Sequence, residues 1–176
     1  MYLNGQKPVT NPNHLTGYLG LIPSGAEGVR ATLHIMRALT RAYKKFPTVR
    51  DYAARIVQAL PQKDFVGEIK RLFEYVRDSI RYVRDTTNVE TVQTPDKTLQ
   101  LGYGDCDDKS VLLATFLESI GHPTRFVALA VKNPEQYEHV IVETLIGKKW
   151  IPLDATEPQP FGWYPANVKS RMVVHN

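Results

Sequence analysis

Apolar residues recur at helical spacing through the first two thirds of this chain. After Pro123 they form continuous or alternating runs. Over residues 26–46, Ile35, Met36, Leu39, Tyr43 and Phe46 form one stripe, which predicts a helix stopped by Pro47. Thr48, with Asp51 three residues on, reads as the N-cap of a second helix that buries Val49, Tyr52, Ala53, Ile56, Val57 and Leu60. Pro61 ends it. A third helix is expected over 64–82, on Phe65, Ile69, Leu72, Phe73, Val76 and Ile80. A fourth starts near Cys106, turns Val111, Leu112, Phe116, Leu117 and Ile120 inward, and stops at Gly121 and Pro123.

Strands are expected at 124–131, 138–146 and 149–154, the last two joined by a Gly147-Lys148 hairpin turn. Residues 1–25, rich in Gly, Pro and Asn, read as an extended arm. Residues 85–101 read as a long loop, of the length that often carries function. Residues 155–176 read as irregular, with one further strand near 169–174. These elements predict an α+β fold in one domain: an arm (1–25), a helical part (26–83) and a core (84–176).

Cys106 is the only cysteine, placed where a loop turns into a helix. A helix N-terminus favours negative charge and can hold a thiol as thiolate. The hairpin supplies partners. If Gly147 and Lys148 are the turn, Ile146 faces Lys149, and His139 and Asp154 become diagonal neighbours on one face of the sheet, within reach of each other. Cys106 as nucleophile, His139 as base and Asp154 as the acid that orients it would form a catalytic triad. The Cys106 backbone N–H is one oxyanion donor, and Gln100, Tyr103 and Tyr82 are candidates for a second. Asp105, Asp107 and Asp108 crowd the cysteine. They suit the first turn of a helix but favour the protonated thiol. They read as capping residues, Asp105 the N-cap, and no metal or cofactor is expected. His14, His34, His122 and His175 have no such company and read as structural or exposed.

Composition narrows the setting. With 43% hydrophobic and 23% charged residues the chain reads as soluble and globular. It has no apolar run of about 18 residues, so no transmembrane segment is expected. The first residues lack a signal-peptide pattern and one cysteine allows no internal disulfide, so a cytoplasmic location is expected. The net charge of +4 is uneven: residues 1–60 carry +6. Arg30, Arg37, Arg41 and Lys44 fall opposite the first helix's apolar stripe. That face, within residues 30–45, is solvated or suits an acidic partner. No aromatic platform accompanies it, so nucleic acid is not expected.

The run Ile80-Arg81-Tyr82-Val83-Arg84-Asp85, then Thr94-Pro95, Gly104-Asp105-Cys106-Asp107-Asp108, Leu112-Leu113, Gly121-His122-Pro123-Thr124-Arg125, His139-Val140 and Trp150-Ile151-Pro152-Leu153-Asp154-Ala155-Thr156 resembles the transglutaminase-like superfamily, in particular its small bacterial and phage-type cysteine peptidases. The resemblance covers about residues 80–156. It implies a papain-like α+β core, with the nucleophile helix packed on an antiparallel sheet, and the roles of nucleophile, base and orienting acid for Cys106, His139 and Asp154. Ile141 stands where many members carry an aromatic residue. The expected activity is acyl transfer on amide bonds of protein or peptide substrates through a thioester, with hydrolysis favoured over transamidation. The alternative is a catalytically inactive module that keeps the fold for binding, as in a phage or secretion assembly.

Overall fold

In the computed structural model, which describes residues 17–19, 25–84 and 91–176, four helices and a sheet surround a fifth helix. The helices are α1 (Gly25–Tyr43), α2 (Pro47–Val57), α3 (Phe65–Ser79), α4 (Pro95–Leu101) and α5 (Cys106–Ser119). Each of the first four packs on α5, as does the sheet. Every residue of α5 from Asp107 to Leu117 is buried. A helix covered on all sides has no polar face, so its sequence shows a near-continuous apolar run rather than a stripe.

The main sheet holds β5 (Thr124–Ala130), β6 (His139–Ile146), β7 (Lys149–Leu153) and β8 (Ser170–His175), antiparallel in the order β7-β6-β5-β8. Ile146 pairs with Lys149 across the expected Gly147-Lys148 turn, and Gly147 takes a positive φ of 61°. Side chains alternate between faces. Phe126, Ala128, Val140 and Val142 join the core around α5, while Val127, Leu129 and Ile141 form a smaller cluster covered by Tyr164 and Val168.

Several boundaries differ from the sequence reading. Pro47 does not terminate α1, which stops at Tyr43; it is the first residue of α2, where its missing N–H and fixed φ cost nothing. The N-cap is therefore Phe46, without a side-chain cap, and the Thr48–Asp51 box does not form. Asp64 does cap α3, accepting the Gly67 N–H at 2.9 Å. That helix ends at Ser79, not 82, because Ile80 is extended and Arg81–Tyr82 form a strand, β2. Phe65, expected in the stripe, is 59% exposed.

The expected loop over 85–101 contains β3 (Thr91–Gln93) and α4. Pro95 opens that helix and Gly102, at φ 71°, closes it. Gly17–Leu19, inside the expected arm, form β1, which pairs antiparallel with β3. The rest of the arm, with His14, and residues 85–90 lie outside the described residues. β2 runs parallel to β4 (Tyr103–Gly104), so Tyr82 lies beside Gly104, two residues before the cysteine. On α1, Arg30 and Arg41 are exposed, but Lys44 bonds Glu118 of α5 at 2.6 Å and belongs to the helix junction. Among the described residues no helix is long and apolar enough to cross a membrane.

Gly104 is fixed by proximity: a Cβ there would stand 2.5 Å from the Asp108 Cβ. Gly104→Ala is expected to cost about 1–3 kcal/mol, read from urea denaturation, because the opposing atom sits on buried helix rather than on a flexible tip.

Candidate active site

The first turn of α5 is tied down before any chemistry is considered. Asp105 is its N-cap: Oδ1 accepts the N–H groups of Asp107 at 2.9 Å and Asp108 at 3.1 Å. Asp108 reciprocates by accepting the Asp105 N–H at 3.2 Å, which completes a capping box. The Asp108 carboxylate also accepts the Gln93 backbone N–H at 2.7 Å and the Gln93 Nε2–H at 2.8 Å, and so binds β3 to α5. The expected N-cap role of Asp105 holds. Cys106 is thereby held as the first residue of the helix, half-buried.

Its environment does not favour the thiolate. Burial, then the charges of Asp107 and Asp105, push the thiol well above its ordinary value; the Val140 N–H turned to the sulfur opposes them without prevailing. The thiol donates to Asp107 Oδ1 at 3.5 Å.

His139 opens β6 and Asp154 follows the last residue of β7. Val142 pairs with Leu153, which makes the two diagonal neighbours. The His139 Nε2–H donates to Asp154 Oδ2 at 2.7 Å. That bond leaves Nδ1 as the basic nitrogen. Thr156 holds the carboxylate from behind, its hydroxyl donating to Asp154 Oδ1 at 2.6 Å and its N–H at 3.0 Å. Burial alone would lower the His139 pKa, but the bond and charge of Asp154, helped by Glu157 and Asp107, raise it overall. Burial would raise that of Asp154, but His139 and Thr156 lower it overall. Asp154 is thus ionised and paired with His139, its side chain 1% exposed.

The structure brings His139 and Asp154 into direct contact and sets Cys106 against Val140, the residue after His139. Of the three oxyanion candidates, Tyr82 faces the cysteine. Burial, then the charges of Cys106 and Asp105, raise its pKa, so its hydroxyl keeps the proton. Tyr103 is half-buried beneath the Arg81 guanidinium, 5.8 Å from the ring centre, and Gln100 is exposed on α4. Among the other histidines, His122 bonds Glu68 at 2.8 Å, His175 stands edge-on to Trp150, and His34 is exposed. Among the described residues no three His, Cys, Asp or Glu side chains are grouped to hold a metal.

A cleft of about 320 Å³ opens between the end of α3 and residues 156–158. Tyr82 and Thr156 line it, whereas Cys106, His139 and Asp154 do not. Lys109, which sequence reasoning passed over, also lines it. The residue is 2% exposed, and its ammonium donates to the carbonyls of Ile80 at 2.5 Å and Arg77 at 3.3 Å. A cation there satisfies the free carbonyls at the C-terminus of α3. The signal was a lysine embedded in the apolar run of a buried helix.

The family model of the transglutaminase-like superfamily matches residues 50–155. The chain belongs to the transglutaminase-like superfamily. No curated protein matches it. Among solved structures, a candidate protease from Parabacteroides distasonis is 14% identical with a TM-score of 0.61, covering 83% of this chain and 29% of that one. A candidate cysteine protease from Cytophaga hutchinsonii is 18% identical with a TM-score of 0.54, covering 76% and 48%. LapG of Legionella pneumophila, in a calcium-bound form, is 16% identical with a TM-score of 0.54, covering 78% and 80%. The chain therefore spans about half of the Cytophaga protein and under a third of the Parabacteroides one. These likenesses show the fold of a transglutaminase-like protein: mixed helices and antiparallel sheet of the papain-like kind.

Burial lowers the Lys109 pKa to about 8, against an unfolded value of about 10.4. Between those values the unfolded chain binds the extra proton, so stability rises with pH there. The stability advantage of the wild type over Lys109→Met is expected to widen from pH 7.5 to 9.5. Urea denaturation at the two values measures it, and a constant difference contradicts the assignment.

Proposed function

We propose that the chain is a cysteine-nucleophile acyl-transfer enzyme acting on amide bonds of protein or peptide substrates, with water as the usual acceptor. The observation that carries this reading is the His139–Asp154 bond of 2.7 Å, secured by Thr156, on a strand whose next N–H meets the Cys106 sulfur. The protease names of the Parabacteroides and Cytophaga neighbours support it.

In this mechanism His139 Nδ1 takes the thiol proton as the sulfur attacks the substrate carbonyl. The oxyanion is held by the Cys106 N–H at the start of α5 and by the Tyr82 hydroxyl. The imidazolium, stabilised by Asp154, returns the proton to the leaving amine, and a thioester on Cys106 remains. Water, deprotonated by the same nitrogen, resolves it to a carboxylic acid. An amine in place of water would give transamidation. Cys106 is half-buried rather than sealed from solvent, which favours hydrolysis.

The strongly protonated thiol favours a second reading, in which the fold is kept as a catalytically inactive binding module. A pool of unfolded peptides separates the two. The wild type is expected to generate new termini, detected by mass spectrometry, with little incorporation of a dansylated amine, and Cys106→Ala and His139→Ala to generate none. A pool left intact by the wild type would favour the binding module.

Asp154→Asn is expected to lower kcat by about 10²–10⁴-fold, since the imidazole loses its orientation and its tautomer. His139 must be neutral to act, and its pKa is raised, so activity falls as pH drops through a value above the ordinary ~6.5. The residual activity of Asp154→Asn should lose that acid limb at a lower pH than the wild type does. An unmoved limb would show that another group is the base.

A further inference from the structure

Lys109 carries a buried charge that has no counter-ion. Its ammonium has three N–H donors. Two are taken, by the carbonyls of Ile80 at 2.5 Å and Arg77 at 3.3 Å. Among the described residues no hydrogen bond uses the third, and no carboxylate forms an ion pair with the nitrogen. The two acids whose charge reaches it are committed elsewhere, Asp78 to Arg77 at 2.6 Å and Asp154 to His139 at 2.7 Å. The residue is 2% exposed, so bulk water does little for the charge. A buried cation held only by neutral carbonyls is costly, and an anion that reached it would offset the cost.

Such an anion has a way in. Lys109 and the two residues whose carbonyls it binds all line the cleft of about 320 Å³, which is large enough for a small ligand or one side chain with its backbone. Of the other charged groups there, Arg77 and Asp78 pair with each other, while Arg81 and Glu157 are exposed. Lys109 and Arg81 against Glu157 leave one net positive charge. That balance suits a singly charged carboxylate and works against a dianion. Ile80, Tyr82 and Pro158 supply apolar wall.

We propose that the cleft is a carboxylate-binding site, in which the ligand accepts the free N–H of Lys109 and is flanked by the Arg81 guanidinium. The carboxylate belongs to an acidic side chain of a peptide or to a small free acid. The site is built from its own residues and does not rest on the Cys106 reading.

A pH dependence follows. The groups facing the ammonium are Arg77 and Asp78 from the end of α3 and Asp154 after β7, with Arg81, Tyr82 and Glu157 around the cleft. Burial lowers the Lys109 pKa to about 8, against which Asp154 and Asp78 act. The ammonium is therefore charged at pH 7 and largely neutral at pH 9.5, and carboxylate affinity is lost as pH rises between them.

The experiment is calorimetric titration with N-acetyl-Ala-Glu-Ala amide, its Gln counterpart and propionate. Cys106→Ala serves as the parent, so that no peptide is consumed and the result stands whatever the thiol does. The Glu peptide is expected to bind at least about tenfold more tightly than the Gln peptide at pH 7, the worth of one hydrogen bond to a charged group. That advantage should fall at least about tenfold by pH 9.5. Adding Lys109→Met should remove both the advantage and its pH dependence, and a merely structural lysine would move neither. Arg81→Ser should weaken the Glu peptide and Glu157→Gln should strengthen it, each by about twofold or more. These exposed positions decide the matter if Lys109→Met does not fold. Propionate binding as tightly as the Glu peptide identifies a free acid as the ligand, and weaker propionate identifies a peptide side chain. Equal affinity for the Glu and Gln peptides overturns the site. So does an advantage that survives Lys109→Met, or one that neither rim variant changes.

Discussion

The capping box at the start of α5 is the constraint on which the rest of the site depends. Asp105 and Asp108 exchange backbone hydrogen bonds across the first turn, and Asp108 extends the network to Gln93. The turn therefore has one conformation and carries its cysteine at one point. Gly104 allows the close approach that this needs, and β4 brings β2 with Tyr82 alongside. The helix behind the turn is enclosed by the other four helices and the sheet, so Cys106 stands at the edge of the buried centre of the protein.

The same acids create an electrostatic conflict. A helix N-terminus stabilises anions, and three carboxylates have taken that position ahead of the thiolate. Two serve the backbone, and the third accepts the thiol hydrogen. The proton balance at rest thus favours a neutral thiol, while Asp154 makes the His139 imidazole more basic. Catalysis under the proposed reading proceeds by general-base transfer as the substrate binds, rather than from an ion pair formed in advance. Lys109 lines the cleft at the end of α3, where its ammonium bonds the carbonyls of Ile80 and Arg77 and ties α3 to α5.

Much of this was legible in the residues because the relevant physics is local. Alternation and a Gly-containing turn fixed the β6–β7 register, and register is enough to set His139 beside Asp154. The N-cap role of Asp105 followed from residue type alone. Two features were hidden because their signals were ambiguous. Pro47 reads as a breaker, yet proline suits the first turn of a helix as well as the end of one, so α2 begins two residues before the start that Thr48 as N-cap implies, and α4, which Pro95 opens, lies within what reads as a loop. The strand at Arg81–Tyr82 continued an apparent helical stripe, and only its long-range pairing with Tyr103–Gly104 ends the helix at Ser79. Lys109 and Asp107 were invisible as partners because their roles depend on tertiary placement.

The central claim is that Cys106 carries the acyl group. Intact-mass and peptide-map analysis after acid quench of the protein mixed with an activated peptide ester tests it most directly. The account predicts an adduct of the acyl mass on the peptide containing Cys106, removed by neutral hydroxylamine as a thioester is. Turnover of the ester with no adduct on Cys106, or with the acyl group on another residue, would contradict it.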